Sequence, residues 1–268
     1  MAIKDKTKKA VTSLKAKAPA PVQKLREKAA AMRRKTQVAD GPPVILVHGL
    51  NVPRMVMAPM QWRLRRTYGR RVINADYQWW FDDVPKLAQH LSQRVATYEL
   101  KEFDAVTHSM GGIVLRYAMN HFPMPKLRRA VLIGAPNAGC WLADHLEKKW
   151  GTFLYSLCFG QPGMQMRSGD NGIAAHAGLL HGSEVGVIAG GSGSPKGKRN
   201  WFNHPGDTDG TVAVEETIIP GMKDFVLLNC DHTRLLFNSQ TFHMANLFLE
   251  HGVFRPRLKK QEDHDEHD

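Results

Sequence analysis

The segment Thr107–Gly112 carries the residue best suited to nucleophilic chemistry. It reads Thr-His-Ser-Met-Gly-Gly, follows an apolar run and precedes apolar residues at helical spacing. A serine hydroxyl attacks a carbonyl only when its Oγ stands clear of the backbone, and a sharp turn from strand to helix presents it in this way. Such a turn also aims the positive end of the helix at the developing negative charge. Ser109 is therefore the candidate nucleophile, although glycine-flanked serines are also common in ordinary turns.

A serine nucleophile works with a base and with a carboxylate that orients the base. Two carboxylates stand close together in the segment Gly206–Val212, where Asp207 and Asp209 are separated by one threonine. Either of them could instead bind its own turn, since aspartates often accept hydrogen bonds from nearby backbone amides. The residues alone leave both open as the acid.

The base must come from 13 histidines, most of which will be bystanders. His232 follows a late apolar run at a position where a loop can carry it. His204 is an alternative. His243 falls within the last predicted helix and His251 at its end, from which a reach across the top of a sheet is harder.

The elements that must position these residues alternate between strands and helices. Short apolar runs of the kind found in strands buried on both faces cover residues 44–47, 72–73, 103–107, 130–133, 185–189 and 225–228. Apolar residues at helical spacing cover residues 60–68, 85–98, 110–118 and 242–249. Asp82 or Asp83 is expected to cap the second helix, with Pro85 in its first turn. This alternation predicts an α/β fold with a mainly parallel sheet, whose strand carboxyl ends carry the chemistry.

Four segments together resemble those of the α/β-hydrolase superfamily, in particular bacterial lipases and esterases. They are the turn around Ser109, the Val-His-Gly-Leu-Asn of residues 47–51, the Asp-Gly-Thr-Val of residues 209–212, and the Asp-His of residues 231–232. The resemblance extends over residues 44–250. It implies the α/β-hydrolase fold, with a mainly parallel central sheet, helices on both faces and a helical cap or lid insertion.

The resemblance also implies a catalytic triad. Ser109 would be the nucleophile, His232 the base and Asp209 the acid, and they occur in the order that the fold requires. Asp209 is favoured over Asp207 because it directly precedes a glycine, as the acid of the family does. One departure is plain: Thr107 replaces the first glycine of G-x-S-x-G, so a branched side chain must be accommodated beneath the turn.

Further site residues follow from the same resemblance. The backbone N–H groups of Leu50 and Met110 would form the oxyanion hole, while the imidazole of His48 is expected mainly to shape its own turn. The residues expected around the substrate are His48, Gly49, Pro136 and Trp141. The segment 134–139, Gly-Ala-Pro-Asn-Ala-Gly, would form a rim of the acyl pocket, and its alternative is a plain turn.

Residues 140–180 interrupt the alternation of strands and helices. Apolar residues at helical spacing run from Leu142 to Leu157, and glycine and proline within 160–163 are expected to end the run. Periodicity does not distinguish a helix that faces the core from one that faces acyl chains. The segment is therefore either core packing or a cap or lid.

Charge is distributed unevenly along the chain. Residues 1–40 carry +9 of the net +12, so the remainder is nearly neutral. We interpret residues 1–41 as a basic, flexible tail, either a solubilising extension or a contact for an anionic surface. The hydrolase domain would cover residues 42–255, and residues 256–268 would form an acidic, disordered tail. No specific nucleic-acid binding is expected.

Location and cofactors follow from what the sequence lacks. It has no apolar run of 18 residues, no apolar core of a secretory signal, and three cysteines, too few and odd in number for a disulfide framework. These features indicate a cytoplasmic protein, with peripheral contact to a membrane also allowed. No cofactor and no metal are expected, and the oligomeric state stays open.

The function that these residues predict is hydrolysis of a carboxylic ester, with an ester or lipid-like small molecule as substrate. Thioesterases, amidases and acyltransferases use the same triad. A different class is a non-catalytic α/β-hydrolase-like protein tethered by its basic tail to a membrane or to nucleic acid. The presence of a serine, an aspartate and a histidine in the required order favours the enzyme.

Overall fold

The computed structural model describes residues 41–50, 53–76, 82–194, 200 and 202–255. All of them belong to one unit, Ala39–Asp268. The predicted basic tail, apart from Gly41, and the predicted acidic tail lie outside the described residues, so the division of the chain into tails and domain stays a prediction. None of the helices among the described residues has the length and apolarity needed to cross a bilayer.

Strands and helices alternate along the described chain as the sequence predicts. The strands are β1 (Val44–Val47), β2 (Val72–Asn74), β3 (Glu102–His108), β4 (Lys126–Ile133), β5 (Glu184–Gly191) and β6 (Asp224–Asn229). The helices are α1 (Ala58–Arg66), α2 (Val84–Ala96), α3 (Met110–His121), α4 (Trp141–Trp150), α5 (Thr152–Gln165), α6 (Ile173–His176) and α7 (Ser239–His251). Short 3-10 turns occupy Arg54–Met57, Glu215–Thr217 and Arg234–Leu236.

The six strands form one sheet in the order β2-β1-β3-β4-β5-β6, and every neighbouring pair within the described residues is parallel. The chain first adds β2 on one side of β1 and then continues on the other side from β3 onward. A crevice therefore opens at the carboxyl ends of β1 and β3, where parallel α/β sheets bind their ligands.

Apolar side chains cover both faces of this sheet. In β1, Ile45 packs into a core that includes Leu87 of α2 and Ile113 of α3. The neighbouring Leu46 packs on the opposite face, in a core that includes Leu64 of α1 and Phe248 of α7. A strand enclosed on both sides must be apolar at every position, as Val44–Val47 is. The predicted mainly parallel sheet with helices on both faces is confirmed.

Local signals define most of the helix ends. Asp83 caps α2, its Oδ1 accepting the backbone N–H of Lys86 at 2.9 Å, and Pro85 stands in the first turn. The helix ends at Ala96, whereas the apolar spacing predicted that it would extend to Tyr98. Asn238 caps α7 and Gly252, with φ 73°, terminates it.

The apolar run from Leu142 to Leu157 is not one helix. Gly151, with φ 81° and ψ 153°, separates α4 from α5. The helix α5 then continues to Gln165 across a kink at Gly160, so glycine and proline at 160–163 bend the run rather than end it. Phe153 is 83% exposed, and the apolar stripe is therefore not a single core-facing surface.

Candidate active site

Ser109 occupies the turn between β3 and α3. Its backbone has φ 54° and ψ −132°, a conformation that costs free energy for any residue with a side chain. Its N–H donates to the carbonyl of Ile133 at 2.9 Å, which ties the turn to the end of β4. The abrupt change from strand to helix is the geometry that the sequence predicts for a nucleophile.

Glycines allow the neighbouring chains to approach this turn. A Cβ built on Gly111 would lie 2.5 Å from the carbonyl oxygens of both Val47 and His48. A Cβ on Gly49 would lie 2.9 Å from the Cβ of Ser109. Because non-bonded carbon and oxygen atoms do not approach so closely, the loop after β1 can lie against the serine only with glycine at both positions.

Thr107 shows how the departure from G-x-S-x-G is accommodated. Its side chain is fully buried beneath the turn, and a Cβ added to Gly112 would lie 3.3 Å from its Oγ1. The threonine side chain thus fills the space beneath the turn, and the absence of a side chain at Gly112 leaves room for it. Among the described residues its Oγ1 has no hydrogen-bond partner.

The structure brings His232 and Asp209 together. Nδ1 of His232 lies 2.6 Å from Oδ2 of Asp209, whose side chain is 1% exposed. Oδ1 of the same carboxylate accepts the backbone N–H groups of Thr211 at 2.9 Å and Val212 at 2.8 Å. Because an ionised carboxylate only accepts, Nδ1 of the neutral imidazole carries the hydrogen and Nε2 keeps its lone pair. The pair has the arrangement of an oriented general base.

Asp207 has a different environment. Its carboxylate accepts the N–H groups of Ser192 (2.9 Å), Gly193 (2.7 Å) and Thr208 (3.0 Å), and the hydroxyl of Ser192 (2.8 Å). Burial alone would raise the pKa of Asp207, but these hydrogen bonds outweigh it and lower the pKa below its ordinary value. Asp207 therefore holds the loop between β5 and the acid segment, the turn-binding alternative noted from the sequence.

The other histidines considered as bases lie elsewhere. Nδ1 of His204 accepts the N–H of Gly206 at 2.8 Å, and its ring meets the edge of Trp141 at 4.8 Å. His243 and His251 are exposed on α7. None of these three is among the described residues that line the cavity in front of Ser109.

His108 is a residue whose importance the sequence did not indicate. Its ring is buried, its centroid lies 4.7 Å from that of His232, and its Nε2–H donates to the backbone carbonyl of His232 at 3.1 Å. Burial, and next the positive charge that His232 can carry, hold the pKa of His108 well below its ordinary value. His108 thus stays neutral beneath the candidate base and fixes its backbone. The signal available in the sequence was only its place beside Ser109.

Ser109 and His232 line the same cavity, which has a volume of about 170 Å³. Leu50 and Met110, the two residues expected to form the oxyanion hole, also line it, as does Pro136 of the predicted rim. Met110 is the first residue of α3, so its N–H is among those with no acceptor inside the helix. The oxyanion role of both residues stays a prediction.

Three residues expected around the substrate are not among those that line this cavity. His48 is 1% exposed, and its Nδ1 lies 3.0 Å from the carbonyl oxygen of Gly49, so its imidazole belongs to the interior of the turn. Gly49 packs against Ser109 as described above. Trp141 faces a neighbouring small hollow, where it stacks on His145 with centroids 4.7 Å apart.

Glu216 is a second residue whose role the sequence did not indicate. It joins the acid segment to α4. Its buried carboxylate accepts the N–H of Ala213 at 2.7 Å and the N–H of Trp141. Burial raises the pKa of Glu216 to about 7, and the charges of Glu215 and Asp209 act in the same direction. The carboxylate therefore helps to fix the loop that carries Asp209.

Cys140 lines the cavity but is not a second candidate for the nucleophile. Burial raises the pKa of its thiol to about 12, with the charge of Glu216 adding to the effect. Because the thiolate is the reactive form, this cysteine stays protonated and acts as an apolar wall.

Comparisons of the sequence and the fold with known proteins give three results. Residues 9–164 match the model of a family described as a domain of unknown function, DUF7379. This range contains Ser109 and ends before Asp209 and His232. No curated protein matches the chain.

Solved structures similar to this chain include the mature form of the lipase BlEst2 from Bacillus licheniformis, with 20% sequence identity and a TM-score of 0.56. The match covers 80% of this chain and 94% of that chain. The lin2722 gene product of Listeria innocua has 17% identity, 79% and 95% coverage, and a TM-score of 0.56. The esterase EaEST from Exiguobacterium antarcticum has 14% identity, 78% and 92% coverage, and a TM-score of 0.51. At these identities the likeness shows the fold, and the predicted α/β-hydrolase fold is confirmed. The cap or lid insertion stays a prediction.

Proposed function

The chain belongs to the DUF7379 family, and we propose that it is a serine hydrolase that cleaves carboxylic esters through an acyl-enzyme intermediate. The observation that carries the proposal is the hydrogen bond of 2.6 Å between His232 and the buried Asp209. His232 lines the same cavity as Ser109. A binding protein has no need of a serine held at positive φ beside such a pair.

The reaction has two steps. Oγ of Ser109 attacks the ester carbonyl while Nε2 of His232 takes its proton, and the resulting imidazolium is stabilised by the charge of Asp209. The imidazolium then returns the proton to the departing alcohol, which leaves an acyl-serine. Water attacks this ester with His232 again as base, and the acid and the free serine are released.

The negative charge on the carbonyl oxygen needs donors fixed in advance. The N–H groups of Met110 and Leu50 are proposed for this role, because Met110 begins α3 and both residues line the cavity. Loss of one such donor typically lowers the rate about 10²- to 10³-fold.

The proposal is tested by labelling the full-length protein with a fluorophosphonate and by measuring hydrolysis of p-nitrophenyl butyrate. We expect both in the wild type and neither in Ser109→Ala. Ser183→Ala is the matched control, because Ser183 precedes the amino end of β5, whereas Ser109 follows the carboxyl end of β3. Its hydroxyl donates to the carbonyl of Leu127 at 2.8 Å, and its loss should leave both readouts intact.

Two results would contradict the proposal. A folded wild type that is neither labelled nor active would indicate the non-catalytic binding protein. Labelling at Ser109 with hydrolysis of butyryl thioesters, but not of butyrate esters, would indicate a thioesterase that uses the same triad.

A further inference from the structure

The cavity in front of Ser109 is small, apolar and bounded on one side by aromatic rings of α5. We propose that the enzyme acts on esters of short, uncharged acyl chains, and that Phe159 sets the upper limit of chain length. This inference rests on the proposed function, since it assigns the substrate class of the same site.

The lining of the cavity determines the chemical character of the acyl group. The described residues that line it include Leu142, Val212 and Met166, and none of these described lining residues is a lysine, arginine, aspartate or glutamate. A charged acyl group would lose its hydration there without gaining a partner, which is strongly unfavourable. An aliphatic chain would instead exchange water for apolar contact.

The volume of the cavity determines the size of the acyl group. An apolar cavity of about 150 Å³ holds one benzene molecule, which has six carbons. The cavity here, at about 170 Å³, must also admit the reacting carbonyl next to Ser109. It therefore has room for an acyl group of about four to six carbons, and a fatty-acyl chain would extend beyond it.

Tyr155 gives one wall of the cavity a fixed position. Its side chain is 3% exposed, and its hydroxyl donates to the carbonyl of Gly163 at 3.2 Å, on the far side of the kink in α5. A Cβ added to Gly163 would lie 2.3 Å from the Cβ of Phe159. The second half of α5 thus packs directly against Phe159 and limits its movement.

Phe159 lines the cavity and also contacts Trp150, which is not among the described residues that line it. Its ring lies 4.8 Å from that of Tyr155, and it stacks on Trp150 with centroids 6.2 Å apart and planes inclined by 15°. Trp150 is 41% exposed. Removal of the Phe159 ring would therefore extend the cavity toward Trp150 and the surface, and a larger ring would shorten it.

The test measures kcat/KM of the full-length protein for p-nitrophenyl esters from acetate to dodecanoate. Each methylene that fits should raise kcat/KM by about fourfold, so the wild type should peak at about four to six carbons. In Phe159→Ala the activity on decanoate relative to butyrate should increase about tenfold or more, since at least two further methylenes find room. Phe159→Trp should shift the peak toward acetate.

Two control variants separate the effect of the cavity wall from general damage to α5. Phe153→Ala changes the same helix at an exposed position outside the cavity lining, and it should leave the chain-length profile unchanged. Ser156→Ala removes a hydroxyl of the same helix that lies outside the cavity lining and donates to the carbonyl of Phe153, so the peak should stay in place. Labelling of Ser109 by the fluorophosphonate establishes for each variant that the site is assembled.

The inference is overturned if the wild type is most active on chains of about ten carbons or more, or if the Phe159→Ala and Phe159→Trp profiles both superimpose on that of the wild type. In either case labelling at Ser109 would leave the proposed function standing. If the wild type is not labelled at all, the proposed function fails first and the inference fails with it.

Discussion

Substitution of Asp209 by asparagine offers a direct test of the assignment of the acid. Oδ1 of Asp209 lies between two backbone donors, the N–H groups of Thr211 and Val212, at 2.9 and 2.8 Å. An amide NH₂ group cannot face two donors, so the oxygen of the new side chain must keep this position. The NH₂ group then takes the place of Oδ2, 2.6 Å from Nδ1 of His232.

This orientation places the imidazole in the wrong tautomer. With a donor facing it, Nδ1 of His232 must accept, and the ring hydrogen moves to Nε2. Nε2 then has no lone pair for the proton of Ser109. We expect kcat to fall about 10⁴-fold, which corresponds to about 5 kcal/mol in the activation free energy. Because the side chain keeps its shape and two of its hydrogen bonds, the variant should remain folded.

The assay compares steady-state kinetics and circular dichroism of Asp209→Asn with those of Asp207→Asn. Asp207 binds the loop around Ser192 and Gly193, so its substitution should affect stability more than kcat. The reasoning is refuted if Asp209→Asn retains activity within tenfold of the wild type while Asp207→Asn loses it, since the acid would then be Asp207.

Three further predictions concern the neighbourhood of Ser109. His108→Leu removes the donor to the His232 carbonyl and should lower kcat about ten- to hundredfold with little change in KM. His108→Gln keeps an N–H donor and should recover most of this loss. If steady-state kinetics show the same loss of kcat in both variants, His108 has no positioning role. Because burial lowers the pKa of His108 in the folded state, its contribution to stability is complete above the unfolded value of about 6.5 and is lost as the pH falls toward the folded pKa. Urea unfolding between pH 7 and 5 should therefore show a decline that is smaller in His108→Leu, and identical slopes would refute this. Gly111→Ala should lower the free energy of unfolding by about 3 kcal/mol, since its Cβ meets two carbonyl oxygens at 2.5 Å. The control in the same denaturation experiment is Gly41→Ala, whose Cβ meets nothing closer than 3.7 Å. Its free energy of unfolding should remain close to that of the wild type.

The sheet could be predicted from the sequence because its strands are buried on both faces. Val44–Val47 was predicted at its observed bounds, since a run of four aliphatic residues that ends at His48-Gly49 is typical of a strand buried on both faces. The turn at Ser109 was recognisable for a related reason. Its glycines are required by backbone contacts close to the serine, and such local constraints leave a mark in the sequence.

The cavity wall could not be predicted, because it depends on contacts between distant segments and on a bend. Helical spacing from Leu142 to Leu157 does not show that Gly151 divides the run or that Phe153 faces solvent. Nor does it reveal which aromatic rings of this run line the cavity, as those of Tyr155 and Phe159 do. Glycine can continue, bend or end a helix, and the choice is made by tertiary packing.

The candidate triad is drawn from widely separated parts of the chain, with its acid and base in the last third, and this has a consequence for biosynthesis. Ser109 follows β3, whereas Asp209 follows β5 and His232 follows β6, the last strand of the sheet. A nascent chain on the ribosome would hold the serine in place long before any base could activate it. Hydrolytic activity would thus begin only after translation has passed residue 232, so unfinished polypeptides would be inert toward cellular esters.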